Sequence, residues 1–60
     1  MYVTEFEHRG MRGTVFMAGD GTYFGQVLGA ISYGQMVDFY GETLAEAKSD
    51  FRAAVDNYLS

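Results

Sequence analysis

Hydrophobic positions in this chain change period near residue 43. Before that point apolar and polar residues alternate in steps of two, the mark of half-buried strands; beyond it apolar residues recur at three and four, the mark of one helix face. The cluster Ala18-Gly19-Asp20-Gly21-Thr22 sits between two strand-like runs, and its glycines offer positive φ, so it predicts a hairpin. With Asp20 at its centre, Met17 pairs with Tyr23, Phe16 with Phe24, Val15 with Gly25, Thr14 with Gln26 and Gly13 with Val27.

A further strand is predicted over Met36-Val37-Asp38-Phe39-Tyr40, closed by Gly41. The stretch from Gly29 to Gln35 is expected as an exposed loop, with Ile31 and Tyr33 tucked under the domain for local packing. Thr43-Leu44-Ala45-Glu46 has the form of a capping box, Thr43 accepting from the backbone N–H three residues on while Glu46 reaches back to the cap. A helix starts there. Leu44, Ala47, Phe51, Ala54, Val55, Tyr58 and Leu59 then form an apolar stripe, with Glu46, Ser49, Asp50, Arg52, Asp56 and Asn57 on the other sides. The fold class that follows is α+β. A three-stranded antiparallel sheet in the order β-β-β-α carries one C-terminal amphipathic helix on one face, and the N-terminal residues are free to add to the first strand.

One helix covers one face of a sheet. Val15, Met17, Tyr23, Val27, Val37 and Phe39 make the inner set, and by parity Thr14, Phe16, Phe24, Gln26, Asp38 and Tyr40 fall outside. An outer face ought to be polar, and three aromatics stand on this one. A surface for association, in which aromatics are enriched, competes with two alternatives, the first a cross-strand pair that steadies the hairpin by about 0.2–1 kcal/mol. The second is Met1 to Phe6 folded back as a strand or flap to cover it. The candidate interaction residues are Phe16, Phe24, Gln26, Asp38 and Tyr40.

Composition narrows the function. Sixty residues make one domain, and a chain of this size buries only about 60% of the surface its unfolded form exposes. Without cysteine there is neither a disulfide nor a thiolate zinc site to staple it, so self-association as a dimer or larger is expected. No basic flank leads into an apolar run at the N-terminus, and no apolar run approaches the length of a membrane span, so a soluble cytoplasmic protein with no membrane contact is expected. The net charge of −4, with Arg9, Arg12, Lys48 and Arg52 scattered, argues against nucleic acid and for a basic protein partner.

Candidate chemistry is thin. Metal-dependent nuclease action needs convergent carboxylates, and Asp20, Asp38, Glu42, Glu46 and Asp50 are the ones on offer; Asp20 sits at a hairpin tip and Glu46 belongs to a cap. His8 is the only imidazole, and Ser32, Ser49 and Ser60 have no base at any recognisable spacing. Gly19-Asp20-Gly21 lacks the glycine spacing of a phosphate cradle. No enzyme activity and no cofactor are expected.

The order of motifs is itself informative: Gly13-Thr14-Val15, a turn with Asp20-Gly21, Tyr23-Phe24-Gly25-Gln26-Val27-Leu28-Gly29, Val37-Asp38-Phe39-Tyr40-Gly41-Glu42-Thr43-Leu44, and Phe51-Arg52-Ala53-Ala54-Val55-Asp56-Asn57-Tyr58-Leu59. Over residues 9 to 60 this resembles the HicB family of type II antitoxins. The resemblance implies a degenerate, partial RNase H-like fold without nuclease activity, which binds and occludes a small basic ribonuclease toxin, HicA. It also implies that the strand bearing the first catalytic carboxylate in RNase H enzymes corresponds to Arg12 to Met17, which has none. HicB proteins commonly continue into a DNA-binding segment, and none is read in these 60 residues, so operator binding by this chain is not expected. Other expectations are an orphan structural or oligomerisation module with no toxin partner and, more distantly, a metal-dependent nuclease.

Overall fold

Left-handed backbone at two X-Gly pairs sets two of the chain reversals. Arg9 and Gly10 have φ of 54° and 81°, and Tyr33 and Gly34 have 53° and 78°. Positive φ at both central residues is what a two-residue type I′ hairpin turn requires, and its twist matches that of the strands it joins. A computed structural model, covering residues 1–60, accordingly shows a meander: β1 (Tyr2–His8), β2 (Met11–Met17), β3 (Tyr23–Ser32) and β4 (Gln35–Gly41), followed by α1 (Leu44–Leu59). The strands form one antiparallel sheet in the order β1-β2-β3-β4.

The α+β class with a C-terminal helix is therefore correct, but the sheet has four strands, where three were expected. The fourth is β1, which pairs along β2 from Glu5 opposite Thr14 to His8 opposite Met11. The physical reason lies in Phe6, set opposite Gly13. A Cβ at Gly13 would come within 2.7 Å of Phe51 and 2.9 Å of Phe39. With only hydrogen there, the Phe6 ring packs 5.6 Å from that of Phe51 and 5.9 Å from that of Phe39. Burying one such ring stabilises by about 1.5–3 kcal/mol, which is what fixes the N-terminal segment as a strand.

Between β2 and β3 the register is the predicted one, Met17 to Tyr23 through Gly13 to Val27. Asp20 holds the connecting loop by accepting from the Thr22 N–H at 3.0 Å and from its hydroxyl at 2.6 Å. Of the two loop glycines only Gly21 takes positive φ.

The second correction concerns Gly29 to Gln35. Gln26 pairs with Asp38 and Ile31 with Met36, so β3 spends several residues against the single Val37 of β4. This irregularity, with Gly29 at φ 82° and Ala30 fully buried, bends β3 and lets it run on to Ser32. The expected loop is thus a strand and a tight turn. Held out on that ribbon, Ile31 is 53% exposed and Tyr33 fully so, where both were expected to be tucked under the domain.

Thr43 caps α1 from extended backbone, accepting the Glu46 N–H at 3.1 Å. The Glu46 carboxylate reaches back to the N–H of Glu42, one residue before the cap, rather than to the cap itself. Ala47, Phe51 and Val55 bury one face of the helix, and with Phe6, Val15, Val27, Ala30 and Phe39 they form the core. Leu44, Tyr58 and Leu59 of the predicted stripe overhang the sheet and are about two-fifths exposed. Toward its far end α1 is tied to the β1–β2 turn, where Asp56 accepts from His8 at 2.8 Å and from Arg9 at 3.1 Å.

Candidate functional site on the uncovered sheet face

Because α1 packs on one side of the sheet, every side chain of opposite parity is left without a cover. Tyr2 is opposite Phe16, Phe16 opposite Phe24, and Phe24 opposite Tyr40. One aromatic from each strand thus forms a continuous row across the sheet. The Tyr2 and Phe16 rings meet edge to face at 6.2 Å, and those of Phe16 and Phe24 stack at 5.7 Å. Tyr2, Phe24 and Tyr40 are each about half exposed. The row behind it is polar, with Glu5, Thr14, Gln26 and Asp38 in mutual register.

Two of these placements depend on backbone detail. A register shift between Tyr2 and Thr4 moves Tyr2 to the outer face; an unbroken ladder would have turned it inward. On the other edge Asp50 of α1 reaches the N–H of Tyr40 at 2.9 Å. That bond satisfies one of the donors an edge strand leaves unpaired and brings a helix carboxylate to the rim of the aromatic row.

Between the two rows lies a cavity of about 500 Å³ whose lining includes Phe16, Phe24, Gln26, Asp38, Tyr40 and Asp50. All five residues proposed from the sequence therefore border one concavity. Asp38 is exposed and makes no ion pair. The basic residues are placed elsewhere: Arg9 on Asp56, Arg12 toward Glu5 at 3.8 Å, and Lys48 and Arg52 on a shallow depression of the helix surface. The cavity rim is accordingly anionic, and its walls are aromatic.

Of the candidate metal ligands, Asp38 and Asp50 border the cavity, Glu42, Glu46 and Asp50 border a neighbouring depression, and Asp20 stands apart at its turn. Asp20 is engaged with Thr22, which holds its carboxyl below the usual range. Glu46 is bound at the helix start and Asp50 at Tyr40, and no three His, Asp or Glu side chains gather into a possible metal site. His8 is paired with Asp56, on the far end of the helix from Tyr40.

Sequence reasoning did not bring Tyr2, Glu5 or Asp50 to this face, although Asp50 was among the candidate carboxylates. The alternation of β1 carried a signal for Glu5, as Phe6 inward implies Glu5 outward. Tyr2 depends on the register shift, and Asp50 reaches the face only because α1 passes the β4 edge at that height. No helix of the protein is long and apolar enough to cross a membrane. Comparisons of the chain with protein-family models, with curated proteins and with solved structures each give no match.

Proposed function

We propose that this chain is a non-catalytic protein-interaction domain of the HicB antitoxin kind, which binds and neutralises a small basic ribonuclease toxin of the HicA kind. The uncovered sheet face is the binding surface. The observation that carries the reading is the four-residue aromatic row, Tyr2-Phe16-Phe24-Tyr40, bordered by the unpaired carboxylate of Asp38. An exposed aromatic centre with an acidic rim suits a basic protein, since the rings supply affinity once covered and the charges supply steering. The motif order over residues 9 to 60 supports the family, and the carboxylate-free β2 supports the absence of nuclease activity.

Co-expression with a neighbouring HicA-like toxin tests it. Growth rescue and co-purification of the pair are expected; the absence of both overturns the reading.

A second reading, a module that only binds copies of itself, is favoured by a different observation. The β3–β4 hairpin tip displays Ile31, Tyr33 and Met36 with no cover, and a second copy of so small a chain would supply the missing burial. Sedimentation separates the two. Under this reading the chain is a dimer or larger that dissociates on Ile31→Ser with Tyr33→Ser, and no toxin rescue is seen.

A further inference from the structure

The cavity beside Tyr40 has a chemistry more specific than that of a general acidic surface. Phe16, Phe24 and Tyr40 supply ring surface, Asp38 and Asp50 supply carboxylates, and Gln26 adds an amide, around about 500 Å³ of open space. No Lys, Arg or His of this chain borders it. Asp50 is also fixed in place, since its Oδ2 accepts from the Tyr40 N–H and leaves Oδ1 uncommitted.

We propose that this cavity receives the guanidinium of an arginine carried by the partner protein. The inference rests on the proposed function for the partner's class and adds the residue it must present. A planar cation is attracted to ring faces and donates in a fork to carboxylates, so rings and acids around one concavity select it over a neutral or anionic group. Lysine, a compact and strongly hydrated charge, uses the carboxylates but loses the stacking. A second copy of this chain is a poor occupant. Its outer face brings the same carboxylates, and the one basic side chain there, Arg12, already turns toward Glu5.

The test is a titration of the whole chain with short arginine, lysine and citrulline peptides, read by backbone and side-chain amide NMR shifts. Expected is a saturable shift focused on Gln26, Asp38 and Tyr40, with affinity weakened about tenfold by citrulline, which keeps the shape without the charge. Asp38→Asn, at an exposed position, is expected to weaken arginine binding to a similar degree. Citrulline binding as well as arginine, or shifts scattered over all exposed carboxylates, overturns the proposal. So do focused shifts that arise on concentrating the protein alone and vanish in Arg12→Gln, which would make the occupant a second copy. Arginine binding without toxin rescue leaves this site standing and removes the antitoxin reading; rescue that Asp38→Asn leaves untouched, with no focused shifts, does the reverse.

Discussion

Gly25 lies opposite Phe39 in the β3–β4 ladder, and the space above the glycine belongs to the phenylalanine ring. A Cβ on Gly25 would stand 2.5 Å from the Phe39 Cζ and 1.9 Å from the carbonyl oxygen of Thr14. The second contact is with backbone of the neighbouring strand, which cannot turn aside as a side chain can. Gly25→Ala is expected to cost about 3 kcal/mol, the upper end for overpacking, or roughly 12–24 °C in Tm for a domain of this size. Gly19→Ala is the control, since nothing lies within 4 Å of that position. Circular dichroism melts check both; equal behaviour of the two variants would contradict the packing described.

Phe6 makes β1 part of the core rather than a loose flap. Phe6→Ala removes the ring that contacts both Phe39 and Phe51, and a loss of about 3–5 kcal/mol is expected, enough to unfold much of the population. Were β1 peripheral, the variant would melt within a degree or two of the parent.

Of these two positions, Gly25 was placed by the sequence and Phe6 was not. The β2–β3 register followed from one turn cluster with recognisable chemistry, and the inner and outer faces then followed by parity. The cap at Thr43 was equally plain, because capping and hydrophobic period agreed there. The other two reversals use Arg9-Gly10 and Tyr33-Gly34, in which a residue that disfavours positive φ is held there by the ladder on either side. Neither dipeptide carries a turn signal of the Asn-Gly type, so β1 and the end of β3 were not resolved as paired strands. For the candidate site, Phe16, Phe24, Gln26, Asp38 and Tyr40 came from alternation alone. Asp50 came from a crossing of helix and edge strand that no local pattern encodes.

That strained residue gives a prediction of the opposite sign. Tyr33 is fully exposed at φ 53°, so its ring contributes no burial while its backbone sits where Asn is tolerated far better. Tyr33→Asn creates an Asn-Gly turn and is expected to raise stability by about 0.5–1 kcal/mol, seen as a higher Tm. A lower Tm would show that Tyr33 makes a stabilising contact, such as one with a second copy.

The pair of contacts on Asp56 predicts a pH dependence. The hydrogen bond from His8 first, and that from Arg9 second, hold its carboxyl below the ordinary 3.8. A carboxylate with a depressed folded-state pKa adds stability that is fully present above its unfolded value and is lost as pH falls through the lower folded one. Asp56→Asn should therefore melt below the parent at about pH 6, and the gap should close as pH falls below the unfolded value and through the lower folded one. The gap should also narrow in high salt, because Asp56 and Arg9 are exposed. A gap that persists unchanged at low pH would assign the effect to packing.

The aromatic row gives the prediction that bears most on function. Phe16 and Phe24 stack on each other and Phe16 meets Tyr2, but neither phenylalanine belongs to the core, so their removal takes away two cross-strand ring pairs worth about 0.2–1 kcal/mol each. Phe16→Ser with Phe24→Ser is thus expected to leave a domain that melts lower than the parent but still folds, since the core is untouched. If the uncovered face is the binding surface, the same variant loses two central rings and about 2 kcal/mol or more of partner affinity, roughly thirtyfold. Growth rescue in co-expression should fail with it, while sedimentation still reports the parent's mass. The opposite combination, intact rescue with a halved mass, would show that the row joins copies of this chain and that the partner binds elsewhere.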